Sequence, residues 1–298
     1  MRRERSEEAF PGNGKNDANL AVARASSQVK RMLGLSVKAK NQMNIYEYNI
    51  AGLHFDNKMI FDCAIGAGEA TYYWAKALHD AGGSSRLIGF DIDLTKEDLV
   101  RITSNLGEYH QYVAIRQEDI TDLRAYQNGS VDYINCDDTL VFLAAKVGNI
   151  ESAFREFHRL LTDDGYLIVN SEIPVSWDSE KYTQNQYRRW NLAKAIYGLK
   201  GCIWAAEPEK ADVVKILQAS GFELVQEKEF ERHNQDNPIP CIEEWGHLMR
   251  AEIQELHISE ALRESLNTEI QEIESSVRIY GMACPGYYSL RCKKKVAV

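Results

Sequence analysis

The sequence predicts an α/β protein: a doubly wound, mostly parallel sheet of seven strands with helices on both faces. Three observations predict it. From residue 59 onward, short apolar runs of strand type alternate with helical stretches, the rhythm of a parallel sheet whose crossovers are helices. A Gly-x-Gly turn, Gly66-Ala67-Gly68, separates the first run from the first helix of that series, where the backbone must turn tightly and leave N–H groups free. Acids follow the first three runs, Asp62, Asp91 and Asp119. They therefore gather along the carboxyl edge of the sheet, where such folds bind ligands.

The elements follow in order. Residues 1–19 are polar, with Pro11, Gly12 and Gly14; Leu20–Leu33 has a helical pattern, and a polar-aromatic stretch follows it. Met59–Ala64 is the first strand and Glu69–His79 the helix after it; Leu87–Phe90 is the second strand, followed by a helix over Leu94–Leu106. Tyr112–Arg116 and Val131–Cys136 are the third and fourth strands. Asn149–Leu161 carries Ile150, Ala153, Phe154, Phe157, Leu160 and Leu161 as a helical stripe, and Tyr166–Val169 is the fifth strand. The rhythm then breaks. An aromatic-rich stretch, 172–209, holds a helix over Glu180–Tyr197; Ala211–Ser220 is another helix, and Phe222–Phe230 alternates as a sixth strand. Two helices, Ile242–Leu256 and Glu260–Val277, fill an acidic stretch, the second with Ser259 as its N-cap. Gly286–Lys293 is the last strand. The expected organisation is an N-terminal tail and helical cover over 1–57, then a core over 58–298 interrupted by a lid insertion (172–209) and an acidic helical cap (231–283).

The 298 residues are 44% hydrophobic and 27% charged, an ordinary globular composition, with a net charge of −9. Residues 1–60 are net +4, residues 231–280 are net −7, and the last 18 are net +4. The overall charge argues against attraction to nucleic acid or anionic membranes, and no apolar run is long enough to span a bilayer. MRRERSEEAF lacks the apolar core of a secretory signal, and six cysteines without a CxxC suggest neither a disulfide framework nor a zinc site. A reduced, cytoplasmic protein is expected, monomer or homodimer. The seven histidines show no ligand spacing, so no metal is expected.

The chemistry concentrates in FDCAIGAGEAT, Phe61–Thr71. Gly66 and Gly68 remove Cβ atoms where a ligand would approach a helix N-terminus. Asp91 lies 23 residues after Gly68, and an acid there can accept two hydrogen bonds from vicinal ribose hydroxyls. Asp119 stands where an adenine amino group would need an acceptor. These motifs, in this order, resemble the class I S-adenosylmethionine-dependent methyltransferases, in particular the small-molecule group that includes the ubiquinone/menaquinone-biosynthesis C-methyltransferases. The likeness covers roughly residues 58–172 and the final strands, and includes VDYINCDDTLVFL and AFREFHRLLTDDGYLIV, with Glu156, Arg159 and Gly165 at the family's usual polar and Gly positions. It implies a Rossmann-like methyltransferase core, S-adenosyl-L-methionine as cofactor and a small-molecule acceptor. It also implies a cofactor site made of Asp62, Cys63, Ala64, Gly66, Ala67, Gly68, Asp91, Ile92, Asp119, Ile120 and Asp137, with Tyr46 from the N-terminal cover.

Two departures stand out. Ala64 occupies the position of the family's first Gly, which puts a methyl group beside the expected methionine moiety; Asp163-Asp164 replace a Pro-Gly in a turn. Asp137 and Asp138, after the fourth strand, lie where the reacting methyl is expected: Asp137 is the candidate base and Asp138 a candidate substrate contact, against the plainer reading of a helix-capping pair. Tyr187 and Trp190 are candidate substrate walls, equally explained by packing of the lid. An acceptor in protein or RNA is the main alternative. A nicotinamide oxidoreductase fits less well, because the third position of its GxGxxG fingerprint is Thr71 here and Asp62 would repel a pyrophosphate.

Overall fold

A computed structural model describes residues 44–144, 148–201 and 207–295; the expected helix over 20–33 lies outside them. Seven strands form one sheet: β1 (Met59–Cys63), β2 (Arg86–Asp91), β3 (Val113–Gln117), β4 (Val131–Asp137), β5 (Leu161–Glu172), β6 (Phe222–Phe230) and β9 (Tyr287–Lys294). Their order is β3-β2-β1-β4-β5-β9-β6, with β9 antiparallel to both neighbours. The chain winds outward from β1 to β3 and returns to β4, so the order reverses between β1 and β4. Ligands in open α/β sheets bind at such a reversal, and here the loop after β1 occupies it. A short ribbon, β7 (His233–Asn234) with β8 (Ala283–Cys284), was not foreseen.

The helices of the core follow from amphipathic spacing and local caps. They are α1 (Ile45–Ile50), α2 (Glu69–Asp80), α3 (Lys96–Leu106), the single turn α4 (Leu140–Leu143), α5 (Asn149–Leu160) and α7 (Lys210–Ala219). Reciprocal capping boxes start α1 (Asn44 with Glu47) and α3 (Thr95 with Asp98). In α5, Ile150, Ala153, Phe154, Phe157 and Leu160 are buried, at the spacing that turns one face to the sheet. The fifth strand is longer than its apolar run suggests: it begins at Leu161, and Asp163-Asp164 form part of it on the exposed side.

The cap comprises α6 (Lys181–Leu199), α8 (Ile239–Gln254) and α9 (Glu260–Tyr280). Although the two insertions are separated in sequence, they share one apolar cluster. Ala193, Ile196 and Tyr197 of α6 meet Trp245, Met249 and Ile253 of α8 and Ile270, Ile273 and Val277 of α9. Ser259 caps α9, its hydroxyl accepting from Leu262 N at 3.3 Å. The acidic character of α8 and α9 is answered from α6: Arg188 pairs with Glu269 and Glu272, and Lys200 with Glu252 and Glu255. Phe142 of α4 packs against this cluster and ties the cap to the end of β4. Among the described residues, no helix is long and apolar enough to cross a membrane.

Candidate functional site

The carboxyl ends of β1, β2, β4 and β5 lie along one edge of the sheet, and Tyr46 of α1 stands beside it. The loop after β1 is fixed from several sides. Ile65 N donates to Phe90 O at 2.7 Å, Gly66 N to Asp91 Oδ2 at 3.1 Å, and Asn105 Nδ2 of α3 to Ala67 O at 2.9 Å. Gly89 of β2 makes room for this loop: a Cβ there would stand 2.5 Å from Ile65 Cδ1. Gly66 (φ 56°) and Gly68 (φ 86°) adopt left-handed conformations, and Gly68 is the N-cap of α2. A short turn results, as the Gly-x-Gly spacing suggests, closed by Gly68 N on Ile65 O at 2.9 Å.

Ala64 also has a positive φ, 62°. The position therefore requires the conformation for which glycine is the ordinary choice, and the alanine holds it with a Cβ in place. A left-handed residue with a Cβ costs about 1–2 kcal/mol, against about 0.5–1 kcal/mol of added chain entropy for glycine. Ala64→Gly is therefore expected to stabilise the protein by roughly 0.5–1 kcal/mol, a rise of about 2 °C in melting temperature. A fall on calorimetry would mean that the methyl group makes a compensating contact.

Asp62 is 1% exposed and accepts from Thr71 Oγ1 at 2.5 Å and Asn135 Nδ2 at 2.8 Å. It links β1, α2 and β4 before any ligand is considered. Cys63 is buried and its thiol is pushed up by burial, so it offers a backbone rather than a reactive sulfur. Asp91 accepts from Gly66 N through Oδ2 and from Ile92 N through Oδ1 at 2.9 Å. A carboxylate has about four acceptor positions, so both oxygens keep capacity for two hydroxyls. Asp119 accepts Thr121 N and Oγ1 at 2.8 and 2.7 Å on one oxygen, and Ile120 enters the main core cluster. Glu156 and Arg159 of α5 hold the following chain through Leu123 N, Leu123 O and Tyr126 O, which gives those two motif positions a structural meaning.

At β4, Asp137 Oδ1 accepts from Asn170 Nδ2 at 2.9 Å, and Asp138 (φ 45°) donates its N–H to Asn170 O at 3.0 Å. Tyr46 stands over this group with its ring 5.2 Å from that of Tyr73. Burial raises its phenol well above 10.0, helped by Asp137, Glu69, Asp138 and Asp62. Four carboxylates thus act on Tyr46 where the two strand ends meet. Of the remaining candidates, Tyr187 packs edge-on to Trp177, whereas Trp190 lies in the apolar cluster of the cap with its indole N–H on Glu207.

Several site residues were not foreseen from sequence. Glu69, directly after Gly68, is one. Burial and Asp138 raise its carboxyl from 4.5 to about 7. The fold thus favours its protonated form, so the stability it contributes is greatest below pH 4.5 and is lost as pH rises toward 7. Glu69→Gln should remove that slope and stabilise the ligand-free protein at pH 8 by about 2 kcal/mol, while leaving it little changed at pH 4. Urea titrations at the two pH values measure this; equal effects at both would refute it. Its place inside GAGEAT was the available signal. Glu172 and Tyr287 are others: they face each other across β5 and β9, with Tyr287 Oη donating to Glu172 Oε1 at 3.2 Å. No sequence motif joins two residues so far apart.

The donor set suits a nucleoside that carries positive rather than negative charge. Acidic side chains surround Tyr46, Asp91 retains acceptor capacity, and Thr71, where a dinucleotide fingerprint has its third Gly, is fully buried with its hydroxyl on Asp62. An S-adenosylmethionine, with sulfonium and ammonium groups and no phosphate, fits this edge; a pyrophosphate does not.

Comparison with known proteins agrees. Residues 61–169 match a family described as a methyltransferase domain. A search of curated proteins finds no match. Among solved structures, a Bacillus halodurans C-125 protein assigned as a methyltransferase is 18% identical, with 84% of this chain and 97% of that chain covered at a TM-score of 0.54. The 1,6-didemethyltoxoflavin-N1-methyltransferase of Burkholderia thailandensis, solved with its substrate and S-adenosylhomocysteine, is 13% identical over 98% of this chain and 94% of that one, TM-score 0.51. The 4+2 cyclase SpnF is 12% identical over 97% and 100%, TM-score 0.54. At these identities the likeness is one of fold.

Proposed function

We propose that this chain, whose residues 61–169 match a methyltransferase domain, is a class I S-adenosylmethionine-dependent methyltransferase whose acceptor is a small molecule enclosed between the sheet edge and the helical cap. One observation carries this reading: the acidic edge around Tyr46 and Asp138 continues, through Glu172 and Tyr287, to buried polar side chains of α6. Glu172, Gln186 and Arg189 are each at most 3% exposed, which supports an enclosed acceptor rather than one bound in an open groove.

When bound, the cofactor supplies an electrophilic methyl group. The chain supplies position. Asp91 would hold the ribose, Asp119 and Ile120 the adenine, and the 62–68 segment the methionine end. The close backbone of that segment and the carboxylates of Asp137 and Asp138 would orient the reacting partners, and orientation of this kind can account for most of the acceleration. Asp137 at the end of β4 is the candidate base. Glu69, at about 7, is a second group able to hold or release a proton near neutrality.

The expected result is a higher melting temperature with S-adenosylhomocysteine and none with NAD. Incubation with methyl-labelled cofactor and fractionated cell extract then assigns the acceptor class. Label in the small-molecule fraction supports the proposal; label confined to protein or RNA transfers the reading to a macromolecular acceptor. Cofactor binding without transfer to any fraction would overturn it, since folds of this kind host other chemistry.

A further inference from the structure

Three buried polar side chains beyond the cofactor edge are incompletely satisfied among the described residues. Glu172, 2% exposed at the end of β5, has Tyr287 on Oε1 and no hydrogen-bond partner on Oε2. Arg189, 3% exposed on α6, has Nη1 3.8 Å from Cys241 Sγ and no partner on Nε. Gln186, one turn earlier on the same helix and 1% exposed, has none on either amide atom. Buried polar atoms are paired in the great majority of folded structures, so three on neighbouring elements require an explanation. Their surroundings place them beside the cofactor edge. Glu172 is within electrostatic reach of Asp138 and Arg189, and Tyr287 of Glu172, Asp138 and Tyr46.

We propose that Glu172, Gln186 and Arg189 form the recognition site for the methyl acceptor, and that the acceptor is a small nitrogenous molecule bearing both an N–H donor and a carbonyl or carboxylate oxygen. This rests on the methyl-transfer reading of the same site. Burial, Asp138 and Glu207 push the Glu172 carboxyl up in the free protein, so Oε2 is an unmatched acceptor once a cationic donor lets the group ionise, while Arg189 Nε requires an acceptor and Gln186 can serve both. A ligand lacking either group leaves a buried polar atom unmatched, the condition under which sites discriminate most strongly. Asp138 and Glu207 act on Glu172 against the one guanidinium of Arg189, so a donor able to carry positive charge relieves their repulsion and lets Glu172 ionise, hence nitrogen over a hydroxyl.

The test titrates a matched series into the full-length protein saturated with S-adenosylhomocysteine. It comprises amino acids and lactams, the corresponding hydroxy acids, carboxylic acids without a donor, and simple amines, each followed by calorimetry. Amino acids or lactams should bind at least tenfold more tightly than the other three groups. Gln186→Leu should raise the melting temperature of the ligand-free protein, because two unmatched atoms leave the interior, yet weaken the best member of the series at least tenfold. Glu172→Gln and Arg189→Met should weaken it further while preserving the shift given by S-adenosylhomocysteine. The inference is overturned if hydroxy acids or donor-free acids bind equally well, if no nitrogenous member binds, or if Gln186→Leu leaves binding unchanged. Loss of the S-adenosylhomocysteine shift in the unaltered protein would instead remove the underlying methyltransferase reading.

Discussion

Asp91→Ala abolishes the thermal shift produced by S-adenosylhomocysteine and lowers its affinity by about 100-fold or more. The magnitude follows from two losses. The carboxylate would accept two ribose hydroxyls, and hydrogen bonds to a charged group contribute about 1.5–3 kcal/mol each; about 3 kcal/mol corresponds to roughly 100-fold in affinity. The same side chain also holds Gly66 N and its own neighbour Ile92 N, so the loop that faces the methionine end loses an anchor. Asp91→Asn is not a mild change here. Both carboxylate oxygens already accept a backbone N–H, so the amide NH2 must face one of those donors whichever way it turns. Isothermal titration of both variants is the measurement. Affinity within fivefold of the parent for Asp91→Ala would show that the ribose is held elsewhere.

The core could be read from sequence because its signals are local. Phe61–Thr71 places strand, turn and helix start within eleven residues, and the left-handed glycines and N-cap at Gly68 are where that spacing puts them. Asp91 ends β2 and Asp119 follows β3, placements that the strand pattern alone gives. What escaped reading depends on register and on distant partners. Glu172 and Tyr287 meet only because β9 runs antiparallel beside β5. Arg189 and Gln186 look like ordinary polar positions of a helix until α8 and α9 cover it, since the burial of α6 is decided by its neighbours rather than by its own apolar spacing. The aromatics of the lid drew attention for their size. Trp190, however, serves the internal packing of the cap, and polar side chains of the same helix lie beside the cofactor edge.

The distribution of charge acquires two separate physical roles. Around Tyr46, Asp137, Glu69, Asp138 and Asp62 all raise its phenol, a concentration of acids that a cationic ligand relieves. In the cap the acids are paired instead, Arg250 with Glu274 and Arg278 with Glu243 in addition to the α6 pairs. Most of these pairs are partly exposed and contribute little stability each; their effect is to set how α6, α8 and α9 align. Ligand affinity should accordingly weaken with salt less than a surface electrostatic contact would, because the site acids are enclosed.

Asp62→Ala is expected to be the most destabilising single change at the site, for a structural reason that precedes ligand binding. The residue sits opposite Asn135 in the β1–β4 register and accepts from Thr71 in the first turn of α2. Truncation leaves two buried donors without an acceptor, at about 1–3 kcal/mol each, and a small cavity besides. The total of roughly 3–5 kcal/mol corresponds to a loss of about 10 °C in melting temperature. Thr71→Val removes one donor with little change of shape and should cost about 1–2 kcal/mol. Because the two side chains share one hydrogen bond, the double variant should be more stable than the sum of the single changes implies, with a coupling of at least about 1 kcal/mol. Calorimetry of the four proteins completes the cycle. Additive losses, or a fall of less than 3 °C for Asp62→Ala, would mean that Asp62 does not lock the loop and acts on the ligand directly; a large coupling makes it a positioning residue that fixes where the Gly66–Gly68 backbone lies.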